Sequence, residues 1–143
     1  MKTTNTGSAT YEGLGKDGKG HVSTESGALA DQPYGFNTRF EDAPGTNPEE
    51  LIAAAHASCF TMALSFKLAE AGFEAGSLST DAEVTLEKQD GGFTVTKSAL
   101  STTGKVDGLD RGKFEELAAD AKANCPISKL LNCEITLETQ FEG

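Results

Sequence analysis

Thr46-Asn47-Pro48-Glu49-Glu50-Leu51-Ile52-Ala53-Ala54-Ala55-His56-Ala57-Ser58-Cys59-Phe60-Thr61-Met62-Ala63-Leu64 is the stretch whose reading decides the fold. Asn47 can cap a helix, Pro48 suits its first turn, and Glu49 and Glu50 suit the positive end of its dipole. Thr46-x-x-Glu49 and Asn47-x-x-Glu50 both satisfy a capping-box pattern, and the sequence does not choose between them. Beyond the cap the residues are apolar almost all round, which predicts a helix buried on most sides. Its last turns become amphipathic, and Gly72 supplies a good stop. A helix of this length spans roughly 36 Å at 1.5 Å per residue, longer than many small domains are wide.

Strands are predicted on both sides of it. Upstream, Tyr11-Glu12-Gly13 and His21-Val22-Ser23-Thr24 read as short strands. Gly15-Lys16-Asp17-Gly18-Lys19-Gly20 forms the turn between them, with Asp-Gly supplying positive φ angles. Tyr34 to Phe40 reads as a loop or irregular strand. Downstream, Ala82, Val84 and Leu86 alternate with polar residues, Gln89-Asp90-Gly91-Gly92 turns the chain, and Phe93 to Lys97 returns, with a continuation toward Val106. A second helix is predicted from Asp110 to Asn124, with Phe114, Leu117, Ala118 and Ala121 as its apolar stripe. Pro126 stops it at Cys125. A short turn follows over 127–131, and Glu134 to Phe141 alternates as a last strand. The order of elements is that of an α+β fold, in a single domain over 1–143.

A chain of 143 residues, 37% of them hydrophobic, can bury a core without cross-links. Twelve basic against 22 acidic residues give a net charge of −10, which argues against nucleic acid or an anionic membrane as partner. The longest apolar run, Leu51 to Ala57, is too short to span a bilayer. The N-terminal residues lack the apolar core of a signal peptide. A cytoplasmic protein is expected. The three cysteines, Cys59, Cys125 and Cys133, are an odd number in a reducing compartment, so a disulfide framework is not expected.

Cys59 lies within the long helix, where a free cysteine is ordinarily a small buried hydrophobe. Cys125 sits at a helix end before proline, free of the helix ladder. Cys133 opens the last strand with no polar cluster nearby and reads as filler. The wide spacing of Cys59 and Cys125 excludes a Cys-x-x-Cys redox motif and a zinc ribbon. Two such thiols can still meet in space, one attacking and the other resolving. Attack needs a thiolate, and in a protein of this charge a thiolate needs a local cation. Of the two arginines, Arg39, between Phe36 and Phe40, is better placed than Arg111 at a helix start. Glu49 can hold Arg39. Glu49 and Cys59 stand about 15 Å apart along one helix, so cooperation between them calls for a second chain. His56, three residues before Cys59, admits a Cys–His hydrolase reading. A core or interface histidine with a hydrogen-bonded ring suits it better. His21 reads as a surface residue. A small-molecule binding protein without turnover is a third class.

The run Thr46 to Leu51 with Ala53-Ala54-Ala55-His56-Ala57-Ser58-Cys59-Phe60, and the second run Asn124-Cys125-Pro126-Ile127-Ser128-Lys129, resemble the OsmC/Ohr family. Tyr34-Gly35-Phe36-Asn37-Thr38-Arg39-Phe40-Glu41 is similar to its OsmC branch. The resemblance covers nearly the whole chain. It implies a swapped homodimer with two long helices at its centre and antiparallel sheets wrapped around them. It implies a thiol-dependent peroxidase acting on organic hydroperoxides, and less well on hydrogen peroxide. Cys59 then matches the peroxidatic cysteine, Cys125 the resolving one, and Arg39 and Glu49 the activating pair. A dithiol reductant such as a lipoylated protein would restore the thiols, and no metal, flavin or haem is required. Phe36, Phe40, Phe60, Met62 and Ile127 are the expected lining of an apolar substrate pocket.

Overall fold

The computed structural model describes residues 1–142. The chain divides into two compact units, Met1–Leu51 and the residues from Ile52 onward.

The first unit carries a three-stranded antiparallel sheet, β1 (Gly7–Glu12), β2 (Lys19–Thr24) and β3 (Gln32–Tyr34), in that spatial order. The β1–β2 connection is wider than the Asp-Gly turn predicted. It passes through a 3-10 turn at Gly15–Asp17, and the positive φ angles fall on Gly13 (78°) and Gly15 (71°) rather than on Asp17-Gly18. Phe36–Phe40 is a one-turn helix, α1, where a loop or irregular strand was expected. Thr38 closes that turn: its Oγ1 accepts from the Gly35 N–H at 2.8 Å and donates to the Gly35 carbonyl at 3.0 Å. The turn brings Phe36 and Phe40, four residues apart, onto one face with ring centroids 5.0 Å apart.

Helix α2 (Pro48–Glu70) starts in this unit, and its cap resolves the ambiguity of the sequence. Asn47 Oδ1 accepts from the Glu50 N–H at 2.8 Å, so Asn47 is the N-cap and Pro48 the first helical residue. Glu50 is taken up by Thr46, whose hydroxyl donates to its Oε1 at 2.8 Å. Glu49 is thereby left for another partner.

In the second unit a sheet of β4 (Ser77–Gln89), β5 (Gly92–Lys105) and β6 (Glu134–Phe141) has β5 at its centre, antiparallel to β4 and parallel to β6, so this sheet is mixed and not antiparallel as expected: the helical connection between β5 and β6 carries the chain back to run in the same direction. The β4–β5 turn is the one expected, with Gly91 and Gly92 at φ 95° and 129°. Alternate residues of β5 (Ser98, Leu100, Thr102 and Gly104) are buried. A Cβ on Gly104 would run into the buried ring of Phe114, which explains why the strand has no side chain there. That ring belongs to α3 (Arg111–Asn124), capped by Asp110, whose Oδ1 accepts from the Lys113 N–H at 2.8 Å. The predicted stripe holds: Phe114, Ala118 and Ala121 are buried, with Leu117 packed beside them. A five-residue helix, α4 (Pro126–Leu130), follows after a single junction residue, Cys125.

The buried residues of α2 are His56, Phe60, Leu64 and Leu68, one ridge at a spacing of four. They join Leu100, Phe114 and Cys125 in the core. The opposite face is not covered by the described residues, so the expectation of burial on most sides is not met within one chain. Met62 and Phe66 are 61% and 62% exposed. An 18-residue stretch of α2 has a mean hydropathy of 1.4, which by length and composition suffices to cross a membrane. Its inner ridge is nevertheless packed into the core, so meeting lipid all round would strip that core apart.

Candidate active site

The structure gathers the sequence-predicted residues as two pairs, one in each unit. In the first unit, Arg39 and Glu49 form a two-pronged ion pair. Arg39 Nε donates to Glu49 Oε1 at 2.8 Å and Nη2 donates to Oε2 at 2.7 Å. The Glu49 side chain is only 12% exposed, whereas that of Arg39 is 34% exposed. The Glu49 hydrogen bond raises the guanidinium pKa above its ordinary value, against a smaller opposing effect of burial. Arg39 is therefore a permanent cation held in one orientation. Asn47 braces the arrangement by donating from Nδ2 to the Thr38 carbonyl at 3.2 Å, which ties α1 to the start of α2.

Beside this pair lies a cleft of about 250 Å³, lined among others by Tyr11, Tyr34, Phe36, Phe40 and Arg39. The Arg39 guanidinium carbon is 5.6 Å from the Phe40 ring centroid, and Lys16 Nζ is 5.1 Å from that of Phe36. The cleft is thus apolar in body with cations at its edge. Of the five residues expected to line a pocket, Phe36 and Phe40 line this cleft, whereas Ile127 packs against the core of the second unit. Phe60 is wholly buried on the inner ridge of α2 and cannot line an open pocket. Met62 lies on the outer face of α2, in an open groove with Ala54, Ser58 and Thr61. Tyr11 and Tyr34 are lining residues that the sequence reading missed, since only the pairing of β1, β2 and β3 brings them together.

In the second unit, Cys59 and Cys125 meet. Both thiols are free, Cys59 half-buried and Cys125 buried, and they interact directly. Burial pushes the Cys59 pKa above the ordinary thiol value, the backbone N–H of Ile127 pulls it down, and the neighbouring Cys125 thiol raises it again. No cation is among these influences. Cys133 is half-buried and also free.

Cys125 ends α3 and caps α4, where its sulfur accepts from the Ser128 N–H at 3.3 Å. Its sulfur is also 3.1 Å from Ser128 Oγ. Ser128 Oγ lies 2.8 Å from His56 Nε2, and His56 Nδ1 lies 2.6 Å from Ser98 Oγ. Both ring nitrogens of this fully buried histidine are thus engaged by serines, as expected of a core histidine. That leaves neither nitrogen to serve Cys59 in a Cys–His hydrolase.

Burial holds the His56 pKa below its ordinary 6.5. Below pH 6.5 the unfolded chain binds a proton that the folded chain refuses. Stability is therefore expected to fall as the pH drops from about 6.5 toward the folded-state pKa. Urea unfolding between pH 7 and 5 should show this loss, and His56→Gln should flatten it. Asp120, whose pKa Lys67 holds below the ordinary 3.8, contributes only in a lower window, where its stabilisation is lost as the pH falls further.

The family model of OsmC-like proteins matches residues 40–140, and the chain belongs to that family. It is 57% identical over 137 residues to Peroxiredoxin OsmC of Escherichia coli, covering 96% of each chain. It is 36% identical over 123 residues to organic hydroperoxide resistance protein OhrB of Bacillus subtilis, covering 83% of this chain and 88% of that one. The crystal structure of OhrB superposes with a TM-score of 0.67 at 31% identity, over 96% of this chain and 98% of that one. An organic hydroperoxide resistance protein from Elizabethkingia anophelis superposes with a TM-score of 0.75 at 26% identity, over 99% and 100%. The α+β fold read from the sequence is the fold of these proteins.

Proposed function

We propose that the chain is a thiol-dependent peroxidase that reduces organic hydroperoxides, and hydrogen peroxide less well. The observation that carries this reading is the meeting of Cys59 with Cys125 in a chain so similar to a protein named a peroxiredoxin. The Cys59 thiolate attacks the terminal oxygen of the hydroperoxide. The O–O bond breaks, the alkoxide leaves as an alcohol once protonated, and the sulfur is oxidised to a sulfenic acid. The Cys125 thiol displaces the sulfenic oxygen as water, giving a Cys59–Cys125 disulfide. A dithiol, free or carried as lipoyl on a protein, then restores both thiols.

Within its own chain Cys59 is pushed toward the protonated thiol, so this reading requires a cation from elsewhere. The Arg39–Glu49 pair supplies it across a homodimer. Ten residues of helix separate Glu49 from Cys59 by about 15 Å, so a second chain is the economical source. The uncovered face of α2, with Met62 and Phe66, supports such a dimer, two α2 helices packing at its centre in a swapped arrangement. Both units then belong to one OsmC-like domain. The aromatic cleft beside Arg39 suits an alkyl chain better than a small polar peroxide. The acidic charge and the buried ridge of α2 support a cytoplasmic protein with neither nucleic acid nor membrane as partner.

The test is peroxide consumption by the reduced protein with dihydrolipoamide, comparing cumene, lipid and inorganic hydroperoxides. Turnover of the organic peroxides, faster than that of hydrogen peroxide, is expected. Ligand binding without consumption would instead identify a binding protein.

A further inference from the structure

The peroxidase reading uses Cys59, Cys125, Arg39 and Glu49. It leaves unexplained a row of polar groups that runs through the core of the second unit: Ser98, His56, Ser128 and Cys125. All four are at least nine-tenths buried, at 0%, 0%, 8% and 1% exposure. The contacts along the row are 2.6, 2.8 and 3.1 Å. Burying this much polarity on an otherwise apolar ridge of α2 is costly unless every group is paired. Pairing accounts for its survival but not for its direction, because the row ends on one of the two reacting sulfurs.

We infer that Ser128 and His56 form a proton relay that activates Cys125 as the resolving thiol. This rests on the peroxidase reading and extends it to a step that the Arg39–Glu49 pair does not serve. With Nδ1–H donating to Ser98 Oγ, His56 Nε2 accepts the Ser128 hydroxyl proton, and Ser128 Oγ accepts the Cys125 S–H. A buried His56 held neutral has the free nitrogen lone pair that this direction requires. When Cys125 attacks, its S–H proton passes to Ser128 Oγ while the Ser128 proton passes to His56 Nε2. The sulfur electron pair forms the S–S bond to Cys59, and the sulfenic S–O bond breaks with its electrons leaving on hydroxide. His56 returns its extra proton through Ser128 to that hydroxide, which leaves as water, so the net change is one thiol and one sulfenic acid converted to one disulfide and one water.

Ser128 touches a reacting atom and is the catalytic member. His56 acts through it and is a positioning residue. The relay also accounts for the placement of Cys125, whose sulfur is held at the α3–α4 junction by both the backbone N–H and the hydroxyl of one residue, Ser128.

The experiment separates the two oxidation steps. Reduced protein is mixed with one equivalent of tert-butyl hydroperoxide; the Cys59 sulfenic acid is trapped with dimedone at timed intervals, and the disulfide is followed by mass spectrometry. Ser128→Ala and His56→Gln are expected to form the sulfenic acid at the wild-type rate and to close the disulfide on the order of 10²-fold more slowly. Ser128→Thr keeps the hydroxyl and should recover most of the closing rate, which a purely structural defect would not allow. A wild-type first step in each variant also reports that it has folded. Disulfide closure at the wild-type rate in Ser128→Ala or His56→Gln overturns the relay and leaves the peroxidase reading standing. Failure of the wild-type protein to form any Cys59 sulfenic acid overturns that reading, and the relay with it.

Discussion

Replacing Cys59 by serine is expected to abolish organic-hydroperoxide turnover, a loss on the order of 10³-fold or more. The reaction consists of a two-electron oxidation of one sulfur, and a serine hydroxyl offers neither a comparable anion near neutral pH nor a stable oxidised state. The fold should tolerate the change, because Cys59 is only half-buried and serine is nearly its size. A melting curve within a few degrees of wild type, together with no peroxide consumption, is the expected outcome. Cys125→Ser makes the complementary case. It should consume one equivalent of peroxide and stop with a sulfenic acid on Cys59, since attack is intact and resolution is lost. Undiminished turnover in Cys59→Ser would remove Cys59 from the chemistry. Mass spectrometry of the oxidised wild-type protein finding a Cys59–Cys133 link in place of Cys59–Cys125 would remove the resolving role.

What could be read from the sequence followed the range of the interactions. Helix α2 was legible because its cap, first-turn proline and acidic pair are neighbours in the chain. The β4–β5 turn was legible for the same reason, two consecutive glycines being needed at positive φ. Helix α1 was not, because five residues are too few for a period to show, and the turn depends on one Thr38 hydroxyl bonded to Gly35. At the site, the meeting of Cys59 and Cys125 could be posed from the residues but required a resemblance to a known family to be preferred. Ser98 and Ser128 lie 42 and 72 residues from the histidine they engage, and nothing local marks either serine. The uncovered face of α2 has a related cause. An all-round apolar helix predicts burial without saying whose surface does the burying, and one chain supplies only the ridge from His56 to Leu68.

Arg39→Met is expected to slow the peroxidatic step by about 10²- to 10³-fold at neutral pH, and the dependence on pH shows how. Two contributions are removed together. The first is the thiolate: without the cation, burial and Cys125 are left to hold the Cys59 pKa up. A higher pKa lowers the thiolate fraction at neutral pH, while the more basic thiolate regains part of that loss in nucleophilicity. The second is the hydrogen-bonding fork that polarises the peroxide and meets the charge developing on the departing oxygen, worth about 10²-fold for a well-aimed donor. Raising the pH restores only the first. The rate of Arg39→Met should therefore climb with pH further than wild type does and level off well below it. Arg39→Lys should fall between the two, keeping a charge and losing the planar fork. Because Glu49 is nearly buried, Arg39→Met also leaves a carboxylate without its partner, and the double variant with Glu49→Gln controls for that loss. If the Cys59 pKa, titrated by thiol alkylation of the intact protein, is the same in Arg39→Met and wild type, Arg39 has no part in making the thiolate; if the peroxidatic rate is unchanged as well, the two-chain site built on its pair with Glu49 falls.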